Sequence, residues 1–383
     1  MNSNRRVFFF VIISVGLMLL VSIAYLYLDF RWTPFARINL VADVIKPIPP
    51  DSSSAPLAPD SITPAITIEE KPAEDFTLYK NPHLVTDFKS DTTRSSLPGF
   101  TAKLYSLKSG QPAKIRIAYF GDSMIEGDLL TQTLRQLLQQ TFGVNGVGFV
   151  PITSQVSQFR QTVRASYSDG WEEENFKEGN SSRLFLSGHL YKTENAWLQM
   201  SDQTIRDSNA IIEKSLICGN TPPNATITVN KQRFNLNAPG LLNRIVLNTD
   251  HSHTINLGVA NKNIPVYGIS FESATGVFVD NFSFRGITGI EFAGIDYVFL
   301  SAIAQNNPYD LIIFQYGVNL LFRPKDKDFN WYARAMMPII RKLRNCFEGT
   351  DFLLVSTADR AFRYDGEYKS AIGIDSLVKM QAM

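Results

Sequence analysis

Histidine is scarce in this chain: there are four, His83, His189, His251 and His253, in 383 residues. Cysteine is scarcer still. Cys218 and Cys346 lie far apart, with no C-x-x-C and no ligand-like spacing, which argues against a structural zinc site. They read as two unrelated buried thiols, with a single disulfide as the alternative in an oxidising compartment. Neither sign of charge dominates. Lys and Arg number 37 against 36 Asp and Glu, a formal net charge of +1, so no electrostatic footprint calls for a nucleic-acid partner. No glycine-rich phosphate loop, dinucleotide fingerprint or internal repeat is present, and no cofactor or metal is expected.

What the chain has is an ordinary globular composition, 44% hydrophobic and 19% charged, and one long apolar run. Asn4-Arg5-Arg6 precedes an uncharged stretch from Val7 to Leu28. A helix needs about 20 residues to cross a bilayer core, so the run predicts a transmembrane helix, with a cleaved signal peptide as the alternative. Arginines before the run place the N-terminus in the cytoplasm and the rest of the chain outside it. The expectation is a single-pass inner-membrane protein with a periplasmic or extracytoplasmic domain. Residues 46–75 carry Pro47, Pro49, Pro50, Pro56, Pro59, Pro64 and Pro72 among serines. Such a segment stays extended and reads as a stalk.

Folded patterning begins near Phe100. Lys114–Phe120 reads as a strand, Gly121-Asp122-Ser123 as a turn, and Leu129–Phe142 as a helix through Leu130, Leu134, Leu137, Leu138 and Phe142. Strand, turn and helix open an α/β sheet. Asp310–Tyr316 is a second buried-strand run, followed by a helix over Trp331–Cys346 and a strand over Asp351–Ser356. Between Ser154 and Phe271 the runs become short and alternating, as in Ala225–Val229, Arg244–Leu247 and Thr254–Leu257, with Gly, Asn, Asp and Pro between them. That is the pattern of an antiparallel β-sandwich. The predicted organisation is 1–30 anchor, 31–99 linker and lead-in, 100–153 first part of an α/β domain, 154–271 inserted β-sandwich, and 272–383 second part of the α/β domain.

A serine in the turn between a strand's carboxyl end and a helix exposes its hydroxyl among backbone N–H groups, which suits a nucleophile. The bland reading of Gly121-Asp122-Ser123 is a turn that caps a helix, and the G-x-S-x-G elbow is absent. Two more strand ends add weight. Val277–Phe282 leads into Gly286-Ile287-Thr288-Gly289, and Gln315-Tyr316-Gly317-Val318-Asn319 ends another strand. Ligand sites gather at such ends in open sheets. A glycine N–H and an asparagine amide there could join the Ser123 N–H around one oxyanion; alone, each is a glycine turn and a capping asparagine.

These three segments together resemble the first, second and third blocks of the SGNH (GDSL-type) serine hydrolases, over about residues 114–321. The resemblance implies a three-layer α/β/α sandwich with a parallel sheet, here interrupted by an all-β sandwich. That arrangement is similar to peptidoglycan O-acetylesterases with a carbohydrate-binding-like module. It makes Ser123 the nucleophile and first oxyanion donor, Gly289 the second donor with Gly286 as alternative, and Asn319 the third. The third block has Leu320 where the family has aspartate.

The family's general base comes from a D-x-x-H near the C-terminus. No histidine follows Asn319. Asp250-His251-Ser252-His253 matches the spacing but falls inside the β region, where a coincidental loop is the preferred reading. Asp359 reads as a turn aspartate, residues 364–368 as a polar loop, and Ile374–Met383 as the start of a helix. By resemblance a further strand and the D-x-x-H segment would follow, so the sequence reads as a fragment whose own residues lack the catalytic Asp and His. Trp171 and Trp197 fit either core packing or a sugar-stacking platform. Glu172-Glu173-Glu174 reads as a solvated acidic run.

Three functions stay open: an esterase removing O-acyl, chiefly O-acetyl, groups from an acylated cell-envelope glycan such as peptidoglycan; a polysaccharide O-acetyltransferase of the same fold; and a non-catalytic glycan-binding protein if the chain ends at residue 383.

Overall fold

In a computed structural model of the chain, residues 97–382 are described except 144, 179, 180, 324 and 365, along with Gly16 and Leu17. The expected anchor and stalk lie otherwise outside the described residues. Among those residues, no helix is long and apolar enough to cross a membrane.

The elements run α1 (Pro98–Lys108), β1 (Lys114–Gly121), α2 (Ser123–Glu126), α3 (Leu129–Phe142) and β2 (Gly148–Pro151). Ten antiparallel strands follow. They are β3 (Val163–Tyr167), β4 (Glu172–Asn175), β5 (His189–Lys192), β6 (Ala196–Asp202), β7 (Ile212–Cys218), β8 (Thr226–Val229), β9 (Gln232–Asn235), β10 (Asn243–Asp250), β11 (Thr254–Val259) and β12 (Val266–Glu272). The chain then returns through β13 (Gly276–Asn281), α4 (Tyr297–Asn306), β14 (Leu311–Gln315), α5 (Asn330–Cys346), β15 (Asp351–Val355), β16 (Ala361–Tyr364), β17 (Glu367–Ser370) and α6 (Ile374–Ala382).

Four strands form a parallel sheet in the order β13-β1-β14-β15, with β1 central. Side chains alternate across it. Ile115, Ile117 and Tyr119 face α1 and α3, packing with Phe100, Leu134 and Leu138. The i, i+4, i+8 spacing of Leu134, Leu138 and Phe142 gives α3 its apolar stripe. Ala118 and Phe120 face the opposite way, into a core shared with Phe299 and Ile303 of α4, Met336 and Leu343 of α5, and Leu377 of α6. Phe120 stacks on Phe314 with the ring centroids 4.8 Å apart, a separation typical of offset aromatics. Helices thus cover both faces of the parallel sheet.

The antiparallel strands, which follow β1 and precede β13 in the chain, form two sheets. One runs β10-β7-β12-β5-β4 with β2 also on β12; the other runs β3-β6-β11-β8-β9. Leu198, Leu216, Ile255, Leu257 and Ile269 pack in the core between them. Two details differ from the sequence reading. Residues Gly148–Pro151 pair with Gly268–Phe271, so an antiparallel strand begins ahead of residue 154; four residues are too few to display alternation. A β16–β17 hairpin stands where a polar loop is expected around 364–368. Both cysteines are free thiols.

A buried charge cluster ties the parallel strand β1 to the antiparallel sheet. Glu272 receives Arg116 Nε and Nη2 at 2.9 and 2.7 Å, and Arg244 and Lys114 at 2.9 and 3.1 Å. Burial alone would raise the Glu272 carboxyl; Arg244, Arg116 and Lys114 outweigh it and hold the group well below the usual carboxylate range.

Candidate functional site

The central strand β1 ends at Gly121, and the chain turns sharply into the single helical turn α2. Asp122 caps that turn, its Oδ1 accepting Met124 N–H at 3.0 Å. Gly121 has no room for a side chain: a Cβ would lie 2.6 Å from Ile125 Cδ1 and 3.1 Å from Ser283 Oγ. Ser123 is the first residue of the turn and is exposed. Among the described residues, neither its hydroxyl nor its backbone N–H makes a hydrogen bond.

Gly289 lies at the entry to a short 3₁₀ turn, Ile290–Gly294, with φ of +92°. An L side chain is disfavoured there, and a Cβ would also sit 2.9 Å from the Tyr316 ring. The Gly289 N–H, like that of Ser123, donates no hydrogen bond among the described residues. Gly286 also has positive φ, but it is exposed and a Cβ there would meet only the Lys177 side chain.

Asn319 follows β14 and donates Nδ2 to the Ile287 carbonyl at 2.8 Å. One amide hydrogen is thereby spent on holding the second block, and the other is left over.

Further bonds draw the three segments together. Phe284 N–H donates to Gly121 O at 3.0 Å, and Arg285 Nε pairs with Glu126 at 3.1 Å. Tyr332 of α5 donates to Thr288 O at 2.6 Å. From the far side, Gln381 of α6 donates to Tyr316 O at 2.7 Å and accepts Thr357 N–H at 2.9 Å. Arg360 Nη1 reaches Val318 O at 3.2 Å.

The ends of β1 and β14 also enclose a low-dielectric patch. Burial raises the Asp122 carboxyl, against a smaller opposing effect of the Met124 N–H bond. Burial pushes the Tyr316 phenol well up, with Tyr332, Glu291 and Asp122 adding to it. Tyr316 Oη, Thr288 Oγ1 and Ser283 Oγ are buried without a hydrogen-bond partner. None of Glu126, Arg285, Glu291, Tyr332 and Gln381 stands out in the sequence. A Glu three residues after the serine and an Arg just before Gly286 were the available signals, and each is commonplace.

The other candidates lie elsewhere. Asp250 ends β10, and His251 and His253 belong to the turn joining β10 to β11. Asp250 is bonded to Lys214, His251 Nδ1 faces Asn209 O at 3.0 Å, and His253 O accepts Asp202 N–H. Asp359 is bound by its neighbour Arg360 N and by Ser370 Oγ at 2.7 Å each. Glu172, Glu173 and Glu174 pair one by one with Lys262, His189 and Lys192. No group of side chains among the described residues could hold a metal ion. Trp171 packs against the sandwich core, its Nε1 donating to Trp197 O, whereas Trp197 is exposed.

A parallel sheet covered by helices on both faces, with a serine turn, a glycine loop and an asparagine linked at its carboxyl end, defines an α/β protein with a candidate site at the strand ends. The same fold occurs in a solved structure of a peptidoglycan O-acetylesterase in action. It superposes with a TM-score of 0.64 over 75% of this chain and 80% of that one, at 20% sequence identity. No family model matches the sequence, and no curated protein does.

Proposed function

We propose that the chain carries the nucleophile of an extracytoplasmic SGNH-type serine esterase that removes O-acyl groups, chiefly O-acetyl, from a cell-envelope glycan of the peptidoglycan class. The observation that carries this reading is the meeting of three strand-end segments that leave unspent N–H groups at Ser123, Gly289 and Asn319. Ser123 Oγ attacks the ester carbonyl and forms a new C–O bond. The carbonyl oxygen becomes an oxyanion held by the Ser123 and Gly289 N–H groups and the free Asn319 amide hydrogen. The tetrahedral species collapses, the C–O bond to the sugar breaks, and the sugar oxygen leaves with a proton. Water then hydrolyses the acyl-enzyme. The serine proton needs a base, and no described side chain hydrogen-bonds Ser123 Oγ.

The likeness to a solved peptidoglycan O-acetylesterase supports the substrate class. The uncharged run Val7–Leu28 supports an inner-membrane anchor with the domain in the periplasm. Hydrolysis of a small acetyl ester by the full-length protein and by Ser123→Ala tests the nucleophile; equal rates would remove Ser123 from the reaction. Acetyl recovered on an acceptor sugar, with little free acetate, would reassign the protein as an O-acetyltransferase.

A further inference from the structure

We propose that a cavity beside the Ser123 turn is a subsite for a neutral acetamido group, the 2-substituent of an N-acetylated amino sugar. The inference takes its substrate class, a glycan, from the function proposed above. The cavity measures about 40 Å³ and lies where β2, β3 and β5 meet the end of β13. Glu126, which borders it, is three residues beyond Ser123 on the same helical turn. Ser283, also on its wall, abuts the backbone of Gly121. The subsite is therefore built on the same strand ends as the nucleophile.

Its chemistry selects the ligand. Val150, Ile152, Val163 and Ala165 supply an apolar wall, which suits a methyl group. Ser187 and Ser283 line the cavity at 3% and 8% exposure, and neither hydroxyl has a partner. A buried hydroxyl without a partner is costly, so both are groups that a polar ligand would satisfy. His189 has its Nδ1 against Glu173 Oε1 at 2.8 Å. The tautomer that donates Nδ1–H to that carboxylate has Nε2 as an acceptor.

Two charged side chains also border the cavity, Arg160 and Glu126. The Arg160 Nη2 lies 3.3 Å from Asp128, which Arg135 also pairs, and makes no hydrogen bond among the described residues. The Glu126 carboxylate is matched by Arg285. The polar groups on the wall therefore offer donors at Arg160, Ser187 and Ser283 and an acceptor at His189, a set that matches the carbonyl and the N–H of one amide. A carboxylate or an ester has no N–H for the histidine. An acetamido group has a methyl for the wall, a carbonyl for a serine hydroxyl and an N–H for His189. Its size also fits, since one water-sized group takes roughly 10–15 Å³.

The test is a titration of the full protein with the N-acetylglucosamine disaccharide chitobiose and with cellobiose, which lacks acetamido groups, followed by calorimetry. Chitobiose should bind about tenfold or more tightly, the scale of one or two buried hydrogen bonds. Ser283→Ala and Ala165→Leu should each abolish most of that preference while the thermal transition shows a folded protein. Ser123→Ala should keep the preference even as it loses ester hydrolysis, so failure of the subsite and failure of the nucleophile are read separately. Equal binding of the two disaccharides by the unaltered protein overturns the proposal, and so does saturation by sodium acetate without a preference between them. A preference that survives in folded Ala165→Leu overturns it as well. If Ser283→Ala does not fold, Ala165→Leu and the unaltered protein still decide.

Discussion

At the amino end of the parallel sheet, Glu272 sits among Arg116, Arg244 and Lys114, the last two also pairing with Glu213, so that every cation has a carboxylate. At the carboxyl end, Ser123 Oγ, Ser283 Oγ, Thr288 Oγ1 and Tyr316 Oη have no partner. The same sheet therefore spends its polar groups at one end and holds them unspent at the other. A buried ion cluster that is complete can only brace the junction between the parallel and antiparallel sheets. Groups left unsatisfied at strand ends are the ones free to meet a ligand.

The largest break in this contrast should come from Glu272→Ala. It takes the buried carboxylate from Arg116 and leaves Lys114 and Arg244 on Glu213 alone, at a cost of about 3–5 kcal/mol in denaturant unfolding. The wild-type protein should also lose stability in acid. The folded Glu272 carboxyl is held below its unfolded value, so its contribution is full above about pH 4.3 and falls away as the pH drops below that. A flatter acid limb in the variant would locate the effect at Glu272; an unchanged limb would put it elsewhere.

Next in size is Asn319→Ala at the other end. Loss of an oxyanion donor lowers ester turnover about 10²–10³-fold, while loss of the bond to Ile287 O costs only about 1 kcal/mol of stability. A loss of turnover no larger than the loss of folded protein would make Asn319 a brace and not a donor. Gly289→Ala should cost about 1–2 kcal/mol, because the residue is in the left-handed region and its new methyl meets the Tyr316 ring. Thermal melts read this directly. The smallest effect should be that of His253→Ala, which leaves ester hydrolysis at the wild-type rate. A loss of hydrolysis in that variant, with stability intact, would bring the β10–β11 turn into the chemistry.

Much of this was legible in the chain itself. The strand β1, the serine turn, the stripe on α3, the strands β14 and β15 and the helix α5 follow from local periodicity, which depends on neighbours a few residues apart. The short antiparallel runs announced their sheets in the same way, although β2 escaped because its four residues are defined by pairing with β12 more than a hundred positions later.

The sequence by itself determined which residue types stand at the strand ends and in what order: Ser123, then Gly289, then Asn319. Only the tertiary structure decided what those residues touch. The bond from Asn319 to Ile287, the Glu126–Arg285 pair and the clamp by Gln381 join residues 24 to 159 positions apart. The cavity by Ser283 and His189 likewise arises only where two sheets meet. No local pattern encodes such contacts, because a side chain's partner is set by how whole elements pack, and packing is specified by the sum of many apolar contacts and not by any one residue.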